Sequence, residues 1–396
     1  MLSCVTILNF IDRQAVSILY PAITKDLHLP DQTYTRLVTL FLIAYTAMYA
    51  IGGWLVDWIG ARNGLALALA WWSAATVLTA LVHGAFWLEV LRIMLAVGQP
   101  LVFSAGVKAC AEFFPTQQRA LATGIFSAGS GVGALLATPL LSVIAIHVGW
   151  RLAMATPGIV GFILAPAWIW AYNLSPKLAV TPGEAVARAG WHQLIRQRKT
   201  WALVFSRAIG DPLGYFCFFW IPIYLEQARH LDLKQIALVG WIPFLFADLG
   251  SVAGGGLSDA LIRRGQQPPR ARILVLVGCA GAAPLGAWIG FVNSLWVAIL
   301  LMGLIAFISQ CWTTTTAVLA TDIFPQSSVG RITGMTGTAG GLGATVFSQL
   351  SGKTLHSFGF APVFASAALL VPAALILLVL MLRSSQPALT AQLHET

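Results

Sequence analysis

Apolar runs of about 20 residues, each closed by a polar cluster or a Gly/Pro break, follow one another along almost the whole chain. A run of that length crosses the hydrocarbon core of a bilayer as a helix, and Gly and Pro mark where one helix stops and the next begins. The pattern predicts helices at residues 2 to 20, 34 to 56, 63 to 83, 86 to 109, 120 to 146 and 151 to 173, then at 201 to 226, 235 to 258, 272 to 292, 295 to 317, 329 to 351 and 360 to 383. The longest polar stretch, residues 174–200, separates the two sets of six; it holds Pro176, Lys177, Pro182, Gly183, Arg188, Arg196, Arg198 and Lys199. The expected organisation is a six-helix half over 1–173, a cytoplasmic linker over 174–200, and a second six-helix half over 201–396 with a short cytoplasmic tail. Met1 to Leu8 run directly into Asn9, Asp12 and Arg13 with no small-residue cleavage site, so the first run reads as a span and not as a cleavable signal. With only eight residues before Asn9, this helix is expected to be short, or to have the chain start inside it.

Composition agrees with an all-α membrane protein. Of 396 residues, 58% are hydrophobic and only 9% charged, against roughly a quarter charged in soluble domains. About 230 apolar residues supply on the order of ten to twelve spans and leave little for a soluble domain. A net charge of +9 would suggest nucleic acid only with a basic face on a water-exposed domain, so no nucleic acid partner is expected. Topology accounts for the charge instead: with both termini inside, most Lys and Arg, Lys108 among them, fall on cytoplasmic loops and ends. Lys25, Arg36, Arg151, Arg229, Lys234 and Lys353 are placed outside, and the asymmetry follows the positive-inside rule for a cell-membrane protein. Cys4, Cys110, Cys217, Cys279 and Cys311 stand singly in apolar runs with no metal-ligand or disulfide spacing, so they are expected only to pack.

The two halves repeat one another. Gly53-Trp-Leu-Val-Asp57 with Arg62 recurs as Gly255-Gly-Leu-Ser-Asp259 with Arg264, at identical internal spacing. Glu112-Phe-Phe-Pro115, Thr123-Gly124 and Gly131-Val-Gly133-Ala134 recur as Asp322-Ile-Phe-Pro325, Thr333-Gly334 and Gly341-Leu-Gly343-Ala344. Parallel repeats about an axis along the membrane normal, with a site at their interface near the midplane, describe the major facilitator architecture. The loop Gly53-x-x-x-Asp57-x-x-Gly60-x-Arg62 resembles the signature loop of the major facilitator superfamily. Glycine permits close helix approach, Asp57 is placed to pair with a neighbouring helix end or Arg, and Arg62 is placed to anchor at the cytoplasmic surface. Gly53, Asp57, Gly60, Arg62, Asp259 and Arg264 are thus expected to gate: their contacts latch the outward-open state and release it, without binding substrate.

Ionisable groups inside a span cost about 2.5–3.5 kcal/mol each at a helix centre and mark function. Asp12, Arg13 and Arg92 are the three that stand out. Asn9 and Arg13, four apart, share a helix face, as do Arg92 and Gln99, seven apart. An arginine fork suits a carboxylate and stays charged in a partly dry site, so an Arg on each of two helices predicts a small organic anion as substrate. Trp220, Tyr224, Gln310, Trp312, Thr313 and Thr316, with Tyr45, offer the aromatic platforms, amides and hydroxyls that fit a polyhydroxylated ligand; the plainer reading is interhelical hydrogen bonding and aromatic packing.

The resemblance is closer than the superfamily. Asn9-Phe-Ile-Asp12-Arg13, Glu112-Phe-Phe-Pro115-x-x-x-Arg119-Ala-x-Ala-Thr-Gly124, Asp211-Pro212 and Trp241-Ile-Pro-Phe-Leu-Phe-Ala-Asp248-Leu-Gly250 resemble the anion:cation symporter family, most of all its hexuronate branch, over essentially the whole chain. That resemblance implies proton-driven uptake of a sugar acid, with Arg13, Arg92 and Tyr45 at substrate-binding positions and Asp12 as the protonatable carboxylate. The chain departs from the pattern at Gly98-Gln99-Pro100, where the family commonly has a titratable Glu, and at Ile223, where many members carry a base. The expected cycle has Arg13 and Arg92 holding the substrate carboxylate while protonation of Asp12 loosens its hold on Arg13. Uncoupled or exchange transport of another carboxylate, and a transporter-fold sensor, are the alternatives. No nucleophile-base set, zinc spacing or phosphate loop suggests an enzyme, no metal or cofactor is implied, and a monomer is expected.

Overall fold

In a computed structural model that describes residues 1–30, 32–175 and 191–383, almost every residue is helical. The expected linker's Pro176, Lys177, Pro182, Gly183 and Arg188, and the tail beyond Arg383, lie outside the described residues. The helices are α1 Leu2–Leu27, α2 Thr33–Thr79, α3 Ala85–Gly98, α4 Leu101–Phe113, α5 Thr116–Val148, α6 Trp150–Leu174, α7 Trp191–Arg196, α8 Arg198–Gly210, α9 Pro212–Gln227, α10 Leu233–Val239, α11 Ile242–Arg263, α12 Pro268–Ala282, α13 Leu295–Ile323, α14 Val329–Phe358 and α15 Phe360–Arg383. Among the described residues, nine helical stretches are long and apolar enough to cross a membrane.

Several helices outrun their expected ends. At 26 residues, α1 rises about 39 Å, so it is not short, and Lys25 lies in its last turn. Likewise α14 runs on to Phe358 and takes Lys353 into the helix. Others break where backbone chemistry requires it. Gly60, at φ 84° and ψ 161°, interrupts α2 with a conformation that favours glycine. Pro100 separates α3 from α4, and Pro212 separates α8 from α9, because proline has no N–H to continue the ladder.

The chain divides into two compact units, Met1–Thr181 with Val329–Gly334, and Pro182–Ser328 with Met335–Thr396. In the first unit, α1 packs on α5 and α6, and α2 on α3, α4 and α6. Two apolar cores fill it: one around Leu65, Leu69, Trp72 and Trp168, the other around Leu19, Ile23, Leu37 and Leu141. In the second unit, α13 is the most enclosed element, packed on α11 and α12, while α15 packs on α8. Large apolar side chains also line the outside, including Ile146 at 79% exposure and Trp170 at 68%. An apolar surface that extensive belongs against lipid.

The signature loop lies across the Gly60 break. Asp57 accepts from Lys108 Nζ at 2.8 Å and from the backbone N–H groups of Gly330 and Arg331 at 2.9 and 2.8 Å. It thus caps the first turn of α14, which clusters with the first unit and presents a partial positive charge. A Cβ on Gly53 would stand 2.1 Å from the Gly330 carbonyl oxygen, so this approach requires glycine. Lys108, counted above as an orienting charge, is buried and paired. In the second copy the geometry differs: Asp259 pairs at 2.6 Å with fully buried Arg272, which also reaches Asp322 at 3.0 Å. Arg264 is exposed. The Arg62 carbonyl accepts from Trp168 Nε1 at 2.9 Å.

Candidate functional site

Within the first unit, α1, α2 and the broken pair α3/α4 bring Arg13, Arg92, Tyr45 and Gln99 together. Gln99 lies in the short turn between α3 and α4, its backbone still bonded to Leu95 and Val102, and its side chain sits against α1. Arg13 Nε donates to Gln99 Oε1 at 3.3 Å, and Gln99 Nε2 donates to the Asn9 carbonyl at 3.2 Å. Both ends of this amide are therefore engaged, and an ionised Glu would set a carboxylate against the Asn9 carbonyl. Arg92 Nη2 donates to the Arg13 carbonyl at 3.1 Å.

Aromatic rings support the cations. The Arg13 guanidinium carbon lies 4.4 Å from the Tyr45 ring centroid and 4.7 Å from that of Phe10. Phe41 sits between the two arginines, 4.3 Å from Arg92 and 5.7 Å from Arg13. It stacks on Tyr45 at 5.5 Å. Phe41 was not among the expected residues, although it precedes Tyr45 by four and so shares its helix face. Arg92 is only 6% exposed, and its Nε and Nη1 have no hydrogen-bond partner among the described residues. Unpaired buried donors on a cation are the feature most at odds with a purely structural role, since each costs about 1–3 kcal/mol.

Asp12 corrects the sequence reading. It forms no ion pair with Arg13 among the described residues: its buried carboxylate faces the polar atoms of Trp72 and Thr76 on the second segment of α2, with the Arg92 charge acting from farther off. Asp12 and Arg13 are adjacent in sequence and so project about 100° apart on a helix; one faces the core while the other faces the aromatic cluster.

The second unit distributes its candidates unevenly. Tyr224 is buried, donates to the Ile289 carbonyl at 3.0 Å, accepts from Arg229 Nε at 2.8 Å and packs edge-on to Phe360 and Phe364. Thr316 bonds back to the Trp312 and Thr313 carbonyls of its own helix. Trp312 is buried against Gly210. Thr313 Oγ1 donates at 3.3 Å to Asp211, which pairs with Arg207 at 2.5 Å in the α8/α9 break. Gln310 is half-buried, and Trp220 is half-buried and stacked on Phe216. Four of the five cysteines are buried as expected, but Cys279 and Cys311 meet, Sγ to Sγ, at 3.3 Å as free thiols.

A helical chain with a lipid-compatible surface, a repeated Gly-x-x-x-Asp loop and buried arginines fits one class: a multi-pass membrane transporter. Comparison with known proteins places it within that class. The family model described as Major Facilitator Superfamily matches residues 2–348, and the chain belongs to that superfamily. It is 28% identical to the hexuronate transporter of Escherichia coli (strain K12), covering 91% of this chain and 87% of that one. It is also 28% identical to the probable galactarate/D-glucarate transporter GarP of the same organism, over 93% and 90% of the two chains. Against the galacturonate transporter of Dickeya chrysanthemi the identity is 29%, over 63% of this chain and 77% of that one. Among solved structures, the E. coli fucose:proton symporter FucP superposes with a TM-score of 0.75 at 14% identity, covering 98% of both chains; at that identity the likeness speaks to fold.

Proposed function

We propose that this protein imports a hexuronate or related sugar acid across the inner membrane by proton symport with alternating access. Twelve spans in two six-helix halves, 1–173 and 201–396, joined by a cytoplasmic linker over 174–200 and with both termini inside, complete this reading. It takes the carrier to be a monomer. One observation carries it: Arg92 is buried with two donors unpaired among the described residues, beside Arg13 on a Phe41/Tyr45 platform, and no ion pair to it is found among those residues. A carboxylate supplies what this cluster is missing. The relatives named above, transporters of hexuronate, galacturonate and galactarate or glucarate, support the sugar-acid class.

Asp12 is the proton carrier in this reading. No ion pair holds it in one charge state, and its link to the arginines is not a direct salt bridge. Protonation acts through Trp72 and Thr76, which gain or lose a charged partner as the proton arrives. The gating set Gly53, Asp57, Gly60 and Arg62 holds the cytoplasmic end, with Asp259 and Arg264 as the second copy. Reconstituted Asp12→Asn protein should still exchange galacturonate across the membrane but should not concentrate it under a pH gradient. Unchanged accumulation would sink the proton role.

A second reading rests on Gln99. Because its amide is locked between Arg13 and Asn9 and does not titrate, coupling is weaker than in a carrier with Glu there, and transport is exchange or facilitated diffusion. Proton uptake on adding substrate to wild-type proteoliposomes separates the two: alkalinisation of the medium supports symport, and its absence supports exchange.

A further inference from the structure

One stripe of α14 gathers Ser348, Gln349, Gly352, Lys353 and Ser357 around a wide-mouthed cavity of about 510 Å³. These positions recur at intervals of four along the helix and so form one wall. Several other exposed positions of the same helix are apolar, among them Leu342, Val346 and Leu350. The cavity's wall carries one cation: Lys353 makes no hydrogen bond or ion pair among the described residues. Its side chain is exposed, so the ammonium is open to an anion.

Trp220 of α9 adjoins this wall. Its ring edge lies 3.8 Å from the point where a Cβ on Gly352 would stand, so the absent side chain leaves the indole beside the cavity. Phe216 backs the ring at 6.2 Å. No Lys or Arg occurs in α9 itself, so the cation next to Trp220 comes from α14. Ammonium, indole, amide and two hydroxyls together match a compact polyol that bears an acid group.

We propose that the α14 cavity is a carboxylate subsite of the second unit. Lys353 pairs with the acid group of a sugar acid, Trp220 packs on its carbon face, and Gln349, Ser348 and Ser357 take its hydroxyls. The proposal rests on the sugar-acid reading above and adds a docking position that a sugar acid occupies before its single carboxylate is held by Arg13 and Arg92.

The test uses full-length protein in proteoliposomes with D-galacturonate as probe. Losing one charge-assisted contact raises KM about tenfold or more, so Lys353→Gln should show that rise with kcat little changed. Lys353→Arg should recover most of it, and Lys353→Glu should transport least. In a Cys4→Ser background, which removes the exposed thiol, Lys353→Cys should regain affinity after a cationic methanethiosulfonate and not after an anionic one. Galacturonate, but not neutral galactitol, should slow that labelling. A wild-type KM in Lys353→Gln, or labelling that galacturonate leaves untouched, overturns the subsite; labelling that instead follows the content of anionic lipid overturns it in favour of a headgroup contact. Failure of the wild-type protein to bind any sugar acid overturns the functional reading, and the subsite with it.

Discussion

Replacing Arg92 with Met separates a ligand-holding arginine from a structural one. Arg92 makes a single hydrogen bond, from Nη2 to the Arg13 carbonyl at 3.1 Å, and one ring contact with Phe41. Those contribute about 1.5–3 kcal/mol and about 1–2 kcal/mol. Against them stand two buried unpaired donors, Nε and Nη1, at about 1–3 kcal/mol each. The sum is close to zero, and Met fills most of the vacated volume, so ligand-free Arg92→Met should unfold within a few degrees of wild type. Bound substrate changes the ledger. Two charge-assisted bonds to a carboxylate are worth about 3–6 kcal/mol, so their loss should weaken binding on the order of a hundredfold or more. The assay is thermal unfolding of purified protein titrated with galacturonate: wild type should be stabilised by ligand and Arg92→Met should not. A variant that loses its ligand-free stability yet still binds galacturonate like wild type would refute the reasoning and make Arg92 a structural residue.

Other expectations follow from the same accounting. Asp57→Ala leaves Lys108 buried without its partner and should cost about 3–5 kcal/mol, while Asp57→Ala/Lys108→Ala should cost less than the two single changes together. A double-mutant cycle on thermal stability measures that coupling, and strict additivity would argue against it. Tyr224→Phe removes the donor to Ile289 and the acceptor for Arg229 and should lower stability by about 1–3 kcal/mol with KM for galacturonate little changed; a large KM rise with unchanged stability would instead place Tyr224 on the substrate.

Much of the first site was legible from spacing. Asn9 with Arg13, and Arg92 with Gln99, share faces because 3.6 residues make a turn, and the two faces do meet. Phe41 was hidden because nothing in an apolar run distinguishes an aromatic that carries a cation from one that only packs. Asp12 was misread for a related reason: adjacency in sequence suggested a pair, yet neighbouring residues on a helix diverge. Lys353 was assigned to a loop, and Lys108 to a cytoplasmic helix end, because helix ends cannot be placed to within a turn from hydropathy alone. In the second unit, the run Thr313–Thr316 and Tyr224 looked like ligand chemistry, but carbonyls, Arg229 and Asp211 take up much of their polar capacity.

Alternating apolar runs and polar breaks, a scarcity of charge and two copies of one loop determined, by themselves, that this chain is an all-α membrane protein of repeated halves. Those properties depend on local composition and on helical period, which any window of sequence displays. The tertiary structure decided which charges were already paired. Lys108 and Arg272 found carboxylates, Gln99 was held at both ends, Asp12 was buried facing Trp72 and Thr76, and Arg92 was buried with two donors unmet among the described residues. Pairing depends on what arrives from distant helices, and distance along the chain says little about it.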